Sequence, residues 1–194
     1  IFNGLTYYLI FGLLLQTSGG IENFLGYLVV GIFVFQFSAG AITAGARSIR
    51  SNKSVVQAFN FPRAALPIGA NVRELLSAVP LILAMLLIVV VLPPSEEISW
   101  LWLLLIPAIL LQALFNLGVG MILARMISRV HDVSHLIPFA LRAWMYGSAI
   151  FYTYDRFVTH PQILAAIKLN PLFNVIDIVR DCVLYARVPQ WQSW

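Results

Sequence analysis

Charge is what this chain has least of. Asp, Glu, Lys and Arg make up 10% of 194 residues while apolar types make up 60%, far from the soluble norm of roughly a quarter and a half. No soluble core absorbs apolar runs of the length found here, so a membrane protein is indicated. The lysines are Lys53 and Lys168. Neither closes a glycine-rich phosphate loop, which excludes ATP hydrolysis by that route. The single cysteine, Cys182, excludes an internal disulfide and leaves the redox compartment unread. It has no base partner in sequence and lies on an apolar stripe, where free cysteine packs. No Asp or Glu falls near the middle of an apolar run, which counts against an ion-coupled secondary transporter. Basic residues do not cluster on a soluble face, so nucleic acid is not a partner. The string "HDVSH", His131 to His135, places two histidines four apart. Asp132 stands where a zinc protease has Glu, and no third ligand is evident, so it reads as a polar turn and not as a metal or hydrolase site.

What is present is a series of apolar stretches, about 2–16, 24–46, 67–92, 98–124 and 136–154. All but the first reach the roughly 20 residues that a helical span needs. The chain begins inside an apolar run and stops after a polar stretch, so an interior piece of a longer polypeptide is expected. The fold class expected is all-α, a polytopic membrane protein with five visible spans, forming one transmembrane domain over 1–194. Arg47, Arg50, Lys53 and Arg63 fall in the second connection, and Arg125 and Arg129 in the fourth. The positive-inside rule makes those connections cytoplasmic and puts the end of the fifth span outside.

Two connecting segments carry more than orientation. Segment 47–66 holds a short helix-compatible run bracketed by basic residues, with Val55, Val56, Phe59 and Phe61 on a lobe facing water. Exposed apolar residues there suggest a docking surface for another protein. Segment 155–194 holds "NPLFNVIDIVRDCVLYARVP". Asn170 and Pro171 are a helix start, a side-chain acceptor at the cap followed by a residue needing no backbone partner. Leu172, Val175, Ile176, Val179, Cys182 and Val183 form one apolar stripe. Asp177, Arg180 and Asp181 are expected on the opposite, wet face, with Asp177 and Arg180 paired.

Depth singles out polar residues within the spans. Counting about 1.5 Å per residue puts Arg142 roughly 18 Å below the outer surface, with Gln36 and Gln112 at about the same layer. A cation at that depth is costly unless it faces protein or water, so Arg142 is a candidate for the lining of a central path, bonded to Gln36 or Gln112. Tyr7, Tyr8, Phe11, Trp144, Phe151 and Tyr152 could line a path for sugars, or belong to an interfacial belt. Ser38, Ala39, Gly40, Ala41, Ala44 and Gly45 mark a close-packing face, a candidate dimer seam.

"NKSVVQAFNFPRAALPI", "RVHDVSHLIPFALRAWMYGSAIFY" and "NPLFNVIDIVRDCVL", in this order, resemble the successive signatures of ABC-2 type permeases. Within these, the chain looks like the polysaccharide and teichoic-acid exporters of the Wzm and TagG kind. The resemblance implies a homodimer of permeases with two separate ATPase subunits, ATP and Mg being bound in the partner and no cofactor in this chain. It implies a lipid-linked polysaccharide as substrate, a location in the bacterial cytoplasmic membrane, and an interfacial helix and a sixth span outside the sequence. It places a coupling helix at about 51–60, so that Ser54, Val55, Val56, Gln57 and Phe59 contact the ATPase, with Phe61, Pro62 and Arg63 closing it. His131 and Asp132 lie in a second cytoplasmic contact. Two short gate helices, 160–169 and 171–185, are implied at the outer face, with Asn170, Pro171, Val175, Asp177, Val179 and Arg180 in the second. The chain departs from the family at Gln57-Ala58, where a basic pair is usual, at His131-Asp132, where Arg-Asp is, and at Ser148-Ala149, where Ser-Pro is. The last departure leads one to expect a fifth span running straighter to Tyr152. The wording "SAGAITAGARSIRSNKSVVQAFNFPRAALPIGANVREL" looks most like the actinobacterial branch, which moves lipid-linked galactan. A small-molecule or drug exporter of the same class is the nearest alternative.

Overall fold

The computed structural model describes residues 23–58, 62–91, 99–130, 132–151 and 167–189. The first expected span with Tyr7, Tyr8 and Phe11 lies outside the described residues, as do Phe59, Phe61, His131, Tyr152 and most of the first gate helix. The described chain is helical: α1 Phe24–Ser51, α2 Lys53–Ala58, α3 Ala65–Val91, a 3-10 turn Trp100–Leu104 leading into α4 Leu105–Arg129, α5 Val133–Gly147 and α6 Pro171–Val183. Phe24–Ser51, Ala65–Val91 and Trp100–Arg129 are long and apolar enough to cross a membrane. The all-α, multi-pass expectation holds.

α1 starts where Asn23 accepts from the Gly26 amide at 2.8 Å. It outruns its apolar stretch by about a turn and a half, with hydroxyl and amide side chains bonded back onto the carbonyls of its last turns. Ser48 Oγ donates to the Gly45 carbonyl (2.7 Å), Ser51 Oγ to Arg47 (2.8 Å) and Asn52 Nδ2 to Ser48 (2.8 Å). α1 is the central element and packs along both α3 and α4. A methyl group at Gly45 would meet the Gly120 Cα at 3.2 Å, so α1 and α4 touch backbone to backbone. Part of the close-packing face is used within the chain: Gly45 meets Gly120, and Ala41 is buried with Ala113 of α4 and Ala78 of α3, while Ala39, Gly40 and Ala44 keep partial exposure. α3 presents Val72, Leu76, Val79, Leu83, Leu87 and Val91 outward.

The fifth apolar stretch is not one continuous helix among the described residues. α5 has 15 residues, about 22 Å of helix against a hydrocarbon core of roughly 30 Å. It does not run straight to Tyr152. The chain turns at Ser148, and Ala149 sits at φ 49, a left-handed conformation costing about 1–2 kcal/mol for a residue with a Cβ. Proline, locked near −65°, cannot take that φ. The absence of proline therefore does not straighten this helix; tertiary hydrogen bonds hold the break open.

Candidate functional site

Those bonds come from α6. Its N-terminus forms as expected: Asn170 Oδ1 accepts from the Leu172 amide at 3.1 Å, with Pro171 at the first helical position. The same Asn170 ties the helix to the end of α5. Its Oδ1 accepts from Trp144 Nε1 at 2.8 Å, and its Nδ2 donates to Ser148 Oγ (3.0 Å) and to the Gly147 carbonyl (3.3 Å).

Arg180 departs from expectation most. It is not on a wet face paired with Asp177, but 1% exposed, the largest fully buried side chain described. Its Nη1 donates to the Ala149 carbonyl at 3.1 Å, and its Nη2 to the carbonyls of Tyr27 (3.3 Å) and Ile150 (3.4 Å). The guanidinium carbon lies 3.4 Å from the centroid of the Tyr27 ring, a desolvated cation–π contact. Tyr27 Oη also donates to the Ala149 carbonyl at 3.1 Å. A cation thus sits at the C-terminal end of α5, where helix carbonyls concentrate negative potential. Burial pushes the Arg180 pKa down, while Tyr27 and Asp177 raise it; arginine starts so high that it keeps its charge. Gly31 makes room, since a methyl there would stand 2.7 Å from Nη2.

The rest of α6 is wedged between the outer ends of α1 and α4. Val175, Ile176, Val179 and Val183 join Tyr27, Val30 and Val34 of α1, and Ile178 and Cys182 pack on Ala108 of α4. The buried stripe with Val175 and Val179 is as expected. Asn174, Asp177 and Asp181 keep partial exposure.

A second polar cluster lies near mid-depth. Gln112, fully buried on α4, donates from Nε2 to Ser38 Oγ of α1 and to Asn116 Oδ1 at 3.2 Å. Asn71 of α3 donates to the Ala113 carbonyl at 3.1 Å. Gln112 is therefore in a buried polar layer, but its partner is Ser38; Gln36 points outward and Arg142 does not join. Sequence reasoning missed Asn71 and Asn116, which only their polarity within apolar runs marks, and placed Ser38 on a close-packing face without its polar partner. Replacing Gln112 with methionine removes two hydrogen bonds, to Ser38 and Asn116, together with an orphaned buried oxygen. We expect its melting temperature to stay within a few degrees of the parent, because the lost bonds and the relieved oxygen are opposed and each about 1–2 kcal/mol.

Other expected path residues divide. Trp144 uses its N–H on Asn170 and meets Phe115 edge to face at 6.0 Å. Phe151 is buried in the outer core, 5.6 Å from Tyr146. Both are engaged in packing within the chain. Arg142 is exposed, in one stripe with Phe139, Ala143 and Tyr146 on the side of α5 turned from the bundle. Among the described residues, no hydrogen bond or ion pair holds it.

At the opposite end α2 follows α1 after a one-residue break. Ser54, Gln57, Pro62, Arg63 and Asp132 are exposed and Val56 is half-buried; the Val55 side chain lies outside the described set. Among the described residues, α2 covers Lys53–Ala58 of the expected coupling helix.

Three crossing helices, a short helix at their basic end and a helix wedged into the other end define a multi-pass membrane protein of the cytoplasmic membrane. The chain belongs to the ABC-2 type transporter family, whose model matches residues 1–184. It is similar to two proteins of Klebsiella pneumoniae named O-antigen export system permease protein RfbA. One is 27% identical over 175 residues, covering 88% of this chain and 64% of the relative. The other is 27% identical over 180 residues, covering 90% and 66%. A protein of that name from Myxococcus xanthus is 22% identical over 185 residues, covering 95% and 70%. The chain spans slightly less than two thirds of the length of the two Klebsiella relatives.

Proposed function

We propose that this protein is the permease of an ABC exporter that carries a lipid-linked cell-envelope polysaccharide outward across the cytoplasmic membrane. The observation that carries this reading is the similarity to O-antigen export permeases over 88–95% of the chain. The active unit is a homodimer with two ATPase subunits, and ATP and Mg bind in the partners. Closure of the ATPases pushes α2, which continues from α1, and α1 passes the displacement to α3 and α4 through its packing. Galactan is the substrate proposed, on the actinobacterial wording of residues 38–75.

The exposed stripe of α5 supports a path role for Arg142. An exposed cation on a helix within the membrane is costly against lipid, so Phe139, Arg142 and Tyr146 face a watery path between two copies. Arg142→Leu should then lose most export while keeping its melting temperature, since no partner is left behind. Equal loss of both would contradict the path role.

Depletion of the protein should trap lipid-linked polymer on the inner leaflet, where it stays inaccessible to a glycosidase added outside whole cells. Polymer that still reaches the outer surface at a normal rate would overturn the export reading. For the coupling surface, Val56→Asp should lower permease-stimulated ATP hydrolysis several-fold, the scale of losing an apolar contact at an interface, with membrane insertion unchanged. Unaltered turnover would remove α2 from the ATPase contact.

A further inference from the structure

Arg180 raises a question that the transport reading does not answer. A buried cation is costly unless its hydrogen bonds are made, yet Arg180 is bonded to main-chain carbonyls and to no carboxylate. The cost is retained for what those carbonyls are. Ala149 and Ile150 form the break at the end of α5, and Tyr27 lies in the first turn of α1. One guanidinium therefore joins three elements, and its planar fork supplies donors in fixed directions. Ten residues away along α6, about 15 Å, Asn170 fastens the other end of the helix to Gly147, Ser148 and Trp144. A helix pinned at both ends to the same neighbour cannot swing away from it.

We propose that Arg180 is the positioning residue of the outer closure: it clamps the broken end of α5, α6 and the first turns of α1 into one body, so that the outer end opens by moving that body and not by releasing α6. Tyr27 and Gly31 are parts of the clamp, one as the platform under the guanidinium and the other as the space for it. The clamp uses the fork of arginine and not its charge alone. Lysine has three donors on one nitrogen, which cannot stand at both the Nη1 and Nη2 positions from which these carbonyls are bonded.

Cys182 is a built-in reporter. It is the one cysteine of the chain, fully buried under α6 against Ala108. Burial, with a smaller contribution from Asp181, pushes its thiol up to about 11. Reaction with a maleimide at neutral pH then requires local opening of α6. The full-length protein, with any cysteine outside residues 1–194 replaced by serine, would be reconstituted in proteoliposomes and treated with a membrane-impermeant maleimide applied to either face, without nucleotide. Cys182 should label slowly in the parent. In Arg180→Lys it should label faster by about tenfold or more, and in Tyr27→Phe and Gly31→Ala by smaller factors, each tracking the loosening it causes. Rates within about twofold of the parent in all three would overturn the clamp. If Arg180→Lys does not insert, the two milder variants decide. The face from which label enters tests the orientation, and the ratio of rates tests the clamp. Failure of the export reading would show in neither. Fast labelling of the parent itself would also overturn the proposal.

Discussion

Removing the guanidinium outright, with Arg180→Leu, should cost about 2–4 kcal/mol of stability, the penalty of stranding buried acceptors. The Ile150 carbonyl loses the Arg180 donor, Ala149 keeps only Tyr27 Oη, and the Tyr27 carbonyl falls back on its place inside α1. Leucine fills part of the volume but donates nothing. The break at Ala149 then loses the contact that offsets its left-handed backbone, and α5 gains freedom to rewind past Gly147. A thermal melt of the detergent-solubilised protein should fall by several degrees or more, on the order expected for a loss of that size. A melt unchanged within error would mean that these carbonyls find other donors at no cost.

The second large effect is at the inner half, where α1 and α4 meet without side chains. Gly120→Leu places its Cβ 3.4 Å from the Cα of Gly45, and the remaining three carbons have no space on that face. The neighbouring atoms are backbone, which cannot rotate aside as a flexible side chain does. Helix axes must separate, which costs about 1–3 kcal/mol for overpacking and more where backbone has to move. The separation would also unload Ala41, Ala113 and the Gln112–Ser38 bond further along the seam. Gly120→Leu should therefore reduce the amount of folded protein in the membrane sharply, while Gly69→Leu, at a glycine facing open space, should leave it near the parental level. Comparable accumulation of the two variants would show that the contact is not a packing constraint.

Local chemistry made part of this architecture legible from the sequence. The Asn170–Pro171 start of α6 was readable because a cap needs only its own first turn. Placement of Arg47, Arg50, Arg63, Arg125 and Arg129 at one end follows from charge alone. Where tertiary partners decide, the sequence was silent or misleading. The break after Gly147 depends on Tyr27, Asn170 and Arg180, all distant in the chain. Without them, an apolar run through 136–154 looks like one more span. Arg180 misled for a geometric reason. Successive residues advance about 100° round a helix, which carries it from the partly wet Asn174–Asp177–Asp181 line to the flank that meets α1. The matching signal was Tyr27 followed four residues later by Gly31, a ring and a gap on one face of α1, and it has meaning only once α6 is laid beside it. Gln36 and Ser38 show the limit of depth as a guide. Two residues apart, they share a layer, but about 200° of rotation separates them, so Ser38 meets Gln112 and Gln36 does not.

The export reading requires that this chain work as the membrane half of a larger machine, driven from its basic end. The most direct test is to purify the full-length protein from its native membrane under mild detergent and assay what accompanies it. The account predicts a separate ATP-hydrolysing subunit in equal amount, whose turnover rises when lipid-linked polysaccharide is added. A protein that purifies alone, and whose transport of that polymer proceeds without ATP, would contradict it.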